Sequence, residues 1–175
     1  MSDQYDSDQE PDYDDVYNVP VSQLTKRKPV PSGTYLGMVV GLPEELQSPK
    51  KGTKFAQYTI QLLDTAKNDR GINRDVDPDA LDEALTRGDG EKQRLSDITL
   101  RLRMWRTKDS GHRHVDFLKR LGIAEENDDG SERVLPEMIS ECPGRTAFFH
   151  VKHSPSFDGE NVYAEIDRVI KDTTK

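Results

Sequence analysis

Residues 97–106 read Asp-Ile-Thr-Leu-Arg-Leu-Arg-Met-Trp-Arg, and apolar and polar side chains alternate along this stretch. Successive residues of a β-strand point to opposite faces, so the pattern predicts a strand with one aliphatic face and one cationic, aromatic face. The aliphatic face holds Ile98, Leu100, Leu102 and Met104, and the other holds Thr99, Arg101, Arg103 and Trp105. Because guanidinium groups attract phosphate and an indole stacks on bases, the second face is a candidate nucleic-acid surface. The alternative is an ordinary amphipathic strand with solvated arginines.

Four more stretches have the composition or alternation of strands. They cover residues 34–42, ended by Pro43, and residues 56–62, 145–153 and 161 to about 170. The side chains predicted to face inward are Ala56, Tyr58, Ile60, Leu62, Ala147, Phe149, Val151, Val162, Ala164 and Ile166. Those predicted to face outward include Phe55, Phe148, His150 and Lys152, so the fourth strand has a second aromatic and basic row.

Helical signals lie between these strands. Asp77 is placed to cap a short helix that begins at Pro78 and stops at Gly88. A second helix is predicted over residues 111–121, with Gly122 as its left-handed exit. Residues 136–141 favour a further short turn of helix.

The net charge of −8 is concentrated at one end of the chain. Residues 1–18 hold seven acidic residues and no Lys or Arg, a composition that predicts a disordered acidic tail. Residues 19–31 are then a linker, and residues 32–171 a single domain with an insertion at about 64–96. Residues 97–120 carry seven basic and three acidic residues, and such a local basic stripe sets the field that a phosphate meets.

The predicted order is three strands, a helix and two strands. A five-stranded Greek-key barrel of the OB type has this order, and it binds ligands on strands two and three and on the loops between strands 1 and 2 and strands 4 and 5. The sequence therefore predicts a mainly β protein with an OB-type barrel, although other small α+β folds also fit five short strands and a helix.

Several fragments of the chain resemble the small OB-fold single-stranded-DNA-binding proteins encoded by bacteriophages. They are Pro-Ser-Gly-Thr-Tyr at 31–35, Lys-Gly-Thr-Lys-Phe at 51–55, Phe-Leu-Lys-Arg-Leu-Gly at 117–122, Gly-Arg-Thr-Ala at 144–147 and Glu-Asn-Val-Tyr at 160–163. The resemblance implies a role in DNA replication, recombination or repair, with an acidic tail that recruits partner proteins of those processes. In such proteins the acidic tail is usually C-terminal, whereas here it is N-terminal.

The predicted function is sequence-independent binding of single-stranded DNA, without catalysis. The candidate binding residues are Lys50, Lys51, Lys54, Phe55, Arg101, Arg103, Trp105, Arg106, Phe148, Lys152 and Phe157. Their lysines and arginines would neutralise phosphates and their aromatic rings would stack on bases. The acidic tail, with its tyrosines, is a candidate mimic of the single strand or a solubilising segment. The rival function is a protein-interaction or assembly module, such as a phage structural or host-inhibitor protein, because Arg and Trp are also common interface anchors.

Enzymatic and metal sites find little support in the sequence. The histidine pairs at 112 and 114 and at 150 and 153 lack the spacing of zinc ligands and are interpreted as surface residues. No phosphate-binding glycine loop, nucleophile elbow or complete calcium loop is present, so no cofactor is expected. Without a long apolar run or a basic, apolar N-terminus, neither a membrane span nor a signal peptide is expected. One cysteine, Cys142, allows no internal disulfide, and the expected location is the cytoplasm, or that of the host for a phage protein.

Overall fold

A computed structural model describes residues 28–88, 90–123, 136–156, 159 and 161–170. The predicted acidic tail and Phe157 lie outside the described residues. The described part is mainly β, and its strands are β1 (Gly33–Gln47), β2 (Lys54–Thr65), β3 (Thr99–Trp105), β4 (Thr146–Pro155) and β5 (Val162–Ile170). Its α-helices are α1 (Pro78–Leu85), α2 (Gly111–Arg120) and α3 (Pro136–Ser140), and a 3₁₀ turn spans Leu95–Asp97.

The five strands form one antiparallel sheet in the order β3-β2-β1-β4-β5. The strands at the two ends of this order, β3 and β5, come close to each other, and α2 packs against both of them. The predicted helix between strands three and four is therefore confirmed, as are five antiparallel strands.

The inward faces predicted for β2, β3 and β4 are confirmed. The inward residues of β2 have no exposed surface. Most of them pack with Ala147 and Phe149 of β4 around Phe117 and Leu118 of α2, whereas Leu62 and Val151 pack in a neighbouring apolar cluster. Leu102 and Met104 are buried on β3. The prediction for β5 is wrong at Val162, whose side chain is 48% exposed; only from Ala164 onward does this strand turn apolar residues toward the core.

The first strand is longer than the sequence predicts. Pro43 was expected to end it, because proline has no N–H to donate to a strand partner. Instead, the register of β1 against β2 shifts between Val40 and Glu44, so the residues between them leave the ladder and pairing resumes up to Gln47. A β-bulge of this kind accommodates a proline within a strand.

The packed domain also includes part of the predicted linker. Val30 is buried in a second apolar cluster with Tyr35 and Val76, and the Tyr35 hydroxyl donates to the Pro31 carbonyl at 2.8 Å. Residues 28–31 therefore belong to the fold and anchor its N-terminal end.

The insertion between β2 and β3 is fastened to β1 by a carboxylate. Asp75 accepts hydrogen bonds from the backbone N–H and the hydroxyl of Thr34, at 2.8 and 2.7 Å. Asp77 caps α1 as predicted, accepting from the N–H groups of Asp79 and Ala80. The helix ends at Leu85, before the predicted stop at Gly88, because Thr86 adopts an extended backbone and pairs with Lys92.

The exit of α2 agrees with the prediction. Gly122 has a φ of +70°, a conformation that costs glycine little. Leu121 is buried just before it. The chain therefore leaves the helix here.

Candidate nucleic-acid interface

The outer face of β3 presents the side chains that alternation predicts. Arg101 and Arg103 are exposed and Trp105 is half-buried, while Leu102 and Met104, between them, are buried. Two guanidinium groups and the indole therefore follow one another along a single exposed row.

Phe55 of β2 lies directly opposite Trp105 in the ladder. The two rings pack at a centroid distance of 4.7 Å with planes tilted by 47°, and the Arg103 guanidinium carbon lies 5.6 Å from the centroid of the Phe55 ring. Because these two neighbours cover it, Phe55 is only 7% exposed. Phe55 therefore supports Trp105 and Arg103 from below and is not itself an open stacking surface.

A short chain of polar groups holds the Arg103 side chain in place. Its Nε donates to Oε1 of Gln57 at 3.3 Å, and the amide of Gln57 donates to Glu44 at 3.2 Å. The Arg103 side chain nevertheless remains exposed. Glu44 offsets part of the positive charge of this face.

Three predicted lysines lie at the adjoining end of the β1–β2 hairpin. Its turn is closed by hydrogen bonds between Ser48 and Thr53 and between Gly52 and Ser48. Lys50, Lys51 and Lys54 are all exposed there. Lys54 directly precedes Phe55 and stands opposite Arg106, so alternation turns its side chain to the same side as that of Arg106. Lys50 and Lys51 lie in the turn beyond the Trp105 end of the cationic row.

Arg106 lies apart from this row. Its backbone N–H still pairs with the Lys54 carbonyl, at 2.9 Å, but its side chain forms an ion pair with Glu45 and lines a cleft beside α2. The sequence groups Arg106 with Arg101 and Arg103, whereas strand alternation turns it to the other side.

That cleft has a volume of about 350 Å³ and opens between the end of β3, the start of α2, and α3. It is lined by Trp105, Arg106, Gly111, His114, Pro136 and Ile139. Trp105 thus belongs both to the outer face of β3 and to the wall of the cleft.

His114 corrects the interpretation of the histidines as surface residues. It is 5% exposed, and its Nε2 is 2.7 Å from the Tyr58 hydroxyl. Burial, together with the nearby Arg106 guanidinium, lowers the pKa of His114 to about 4, so the ring is neutral at pH 7. The sequence signal for its burial is its spacing, because Phe117 and Leu118, three and four residues further along the helix, share its face.

Cys142 lies fully buried near the same tyrosine. Burial raises the pKa of its thiol to about 11 and raises that of the Tyr58 hydroxyl as well. The thiol is therefore protonated at neutral pH, and it is not an activated nucleophile.

The predicted residues of β4 are not brought to this surface. Phe148 and Lys152 face outward, but β1 and β2 on one side and β5 on the other lie between β4 and β3. Lys152 pairs with Asp167 at 2.9 Å, and the hydrogen bond and charge of that carboxylate raise its pKa. Phe148 is half-buried between Leu36 and Ile170 of the neighbouring strands.

His150 and His153 of β4, which are also predicted to be surface residues, each contact a residue elsewhere in the fold. His150 lies 3.9 Å from Asp75, and His153 Nε2 is 2.8 Å from the Val30 carbonyl oxygen. Within the described ranges, no three His, Cys, Asp or Glu side chains gather as metal ligands. None of the helices described is both long and apolar enough to cross a membrane.

Comparison of the sequence with protein-family models finds no match, and neither does comparison with curated proteins.

Proposed function

We propose that the protein binds single-stranded DNA, independently of sequence, on the outer face of β2 and β3. The observation that carries the proposal is the row of exposed Arg101 and Arg103 and half-buried Trp105 on one strand. Guanidinium groups bind phosphates, and an indole stacks on a base that is not already paired in a duplex. The combination therefore favours a single strand over a double helix.

The hairpin lysines support the same surface. Lys50 and Lys51 are exposed in the turn beyond Phe55, so a strand that stacks on Trp105 would meet the arginines of β3 on one side of it and these lysines on the other. Release of counterions from the bound phosphates then supplies much of the affinity, whatever the base sequence.

The proposal includes an OB-type barrel. The sheet order, the helix between β3 and β4, and the closeness of β3 to β5 agree with a five-stranded Greek-key barrel. In such barrels strands two and three and the loop between strands one and two bind oligonucleotides. The cationic row and the hairpin lysines occupy those positions.

In this account the protein has a binding role and no catalytic one. It coats single strands exposed during replication, recombination or repair, as its resemblance to phage single-strand binders implies, and it acts in the host cytoplasm. The acidic residues near the N-terminus are proposed to contact partner proteins of those processes.

One observation favours a protein partner instead. Val40, Leu42 and Leu46 of β1 are 42%, 64% and 38% exposed, and Leu46 pairs with Phe55 beside Trp105. Apolar side chains next to an Arg and a Trp are also typical of the centre of a protein interface. The salt dependence of binding separates the two functions.

The test is anisotropy of a labelled oligo-dT at several salt concentrations with the full chain and Arg103→Gln. Removing one phosphate contact lowers the slope of log affinity against log salt by about 0.7 to 1. The control is Arg74→Gln, an exposed arginine of the insertion beyond the other end of β2, and we expect it to leave the slope unchanged. Equal slopes for all three proteins would contradict the proposal.

A further inference from the structure

The cleft beside α2 is continuous with the proposed interface through one side chain. Trp105 ends the cationic row on the outside of β3 and forms a wall of the cleft. A strand that crosses this row toward the end of β3 therefore reaches the mouth of the cleft, where the Arg106 side chain, paired with Glu45, is 41% exposed.

The lining suits a flat heterocycle. Pro136 and Ile139 lie across the cleft from β3 and add apolar surface to the indole. The volume, about 350 Å³, falls at the lower end of the ~300–1,000 Å³ range of sites that enclose small molecules. Such sites are mostly apolar and orient their ligand with a few polar groups.

His114 supplies a polar group of this kind. Its Nε2 is engaged by Tyr58, and Nδ1 has no hydrogen-bond partner among the described residues. The imidazole itself lines the cleft, and Nδ1 is the ring nitrogen that Tyr58 does not engage. A neutral imidazole has one donor and one acceptor nitrogen, so Nδ1 offers one hydrogen bond whose direction the Tyr58 contact decides.

We propose that the cleft receives one unpaired nucleobase of the bound strand, held against Trp105 and hydrogen-bonded by His114, with Arg106 near its phosphate. The inference rests on the proposed function and adds to it a defined pocket for one base. A pocket for one base would also account for a preference for unpaired bases on a surface where Trp105 is the one tryptophan and Phe55 is covered.

Gly111 provides a test, because it lines the cleft at the first position of α2. A Cβ built on it meets no other atom within 4 Å, and its φ is not in the left-handed region. We therefore expect the new side chain of Gly111→Leu to fill part of the cleft without displacing the fold. The matched control is His112→Leu, which adds the same side chain at the next, exposed position.

Each full-length protein is titrated with oligo-dT and with an abasic oligonucleotide of equal length. We expect Gly111→Leu to weaken oligo-dT binding by about fivefold or more, the scale of one lost base contact, and to bind the abasic strand like the wild type. His112→Leu should match the wild type with both ligands. Thermal melting verifies folding, and Ile139→Phe fills the cleft from its other wall where Gly111→Leu does not fold.

Three results would overturn the inference. Unchanged oligo-dT affinity in the filled variants would show that no base enters the cleft. An equal loss with the abasic strand would assign the effect to phosphates or to a change of fold. A wild type that binds neither ligand would overturn the proposed function itself, whereas the first two results leave it standing.

Discussion

His114 keeps a neutral imidazole in the core, and its protonation is costly. Its partner is the Tyr58 hydroxyl, and burial raises the pKa of that hydroxyl and of the Cys142 thiol beside it, while the Arg106 guanidinium lies near the imidazole. Of these groups, His114 is therefore the one that titrates between pH 4 and 6.5. Its pKa is about 4 in the fold against 6.5 when unfolded, so the unfolded chain binds more protons in this window.

We therefore expect the free energy of unfolding to fall as the pH falls from about 6.5 to 4. The loss from this one group is of the order of 3 kcal/mol. Denaturant unfolding at pH 7 and pH 4.5 measures it, and His114→Gln, which does not titrate, should reduce the difference. His112→Gln, at an exposed position, should retain it; the same pH dependence in all three proteins would contradict the assignment.

The Cys142 thiol should be unreactive in the folded protein. Its side chain has no exposed surface and burial raises its pKa to about 11, so thiolate is scarce and out of reach. A thiol reagent at pH 8 should label the thiol fast in denaturant and at least about a hundred times more slowly without it. Rapid labelling of the native protein would show that the core around Cys142 opens readily.

At the scale of elements, β1 crosses the sheet where there is no room for a side chain. A Cβ on Gly37 would lie 2.7 Å from Ile60 Cγ2 and 2.8 Å from the Phe149 ring. Both neighbours are fully buried, so neither can move away cheaply.

We expect Gly37→Ala to lower the free energy of unfolding by about 1–3 kcal/mol, the usual cost of overpacking. Gly111→Ala is the control, since its Cβ meets nothing within 4 Å, and it should be neutral or slightly stabilising. Chemical denaturation of both variants decides the matter. Equal stability of Gly37→Ala and the wild type would mean that β1 and β4 are less closely packed than described.

Local patterns predict the elements well where one face is buried. Alternation placed the inward residues of β2 and β4, and Asp77 and Gly122 marked the correct helix ends. The extension of β1 beyond Pro43 could not be predicted, because it depends on a bulge opposite β2. Alternation wrongly predicts that Val162 faces inward, because it does not indicate where a strand leaves the core.

The residues of the candidate site also fall into two groups: those that a local pattern predicts and those whose position depends on the tertiary fold. Arg101, Arg103 and Trp105 lie on one strand, so their shared face follows from local alternation alone. The separation of Phe148 and Lys152 from them depends on the order of the strands. The cleft depends on the approach of α3 to the start of α2, which no local pattern reports.

At the scale of the whole molecule, net charge is a poor guide to the surface a ligand meets. The chain has a net charge of −8, and seven of its acidic residues lie in the first 18 positions. Arg101 and Arg103 on the outer face of β3 are followed by Lys50 and Lys51 in the adjoining β1–β2 turn. An anionic strand can therefore be attracted locally by a protein that is acidic overall.

Trp105 is the only tryptophan of the chain, so its fluorescence reports directly on the central claim. The decisive measurement is titration with unlabelled oligo-dT at low and at physiological salt, with duplex DNA of equal length as the control. We predict quenching by the single strand, weaker at higher salt and absent with the duplex. Unchanged fluorescence, with light scattering showing no complex, would contradict single-strand binding at this face.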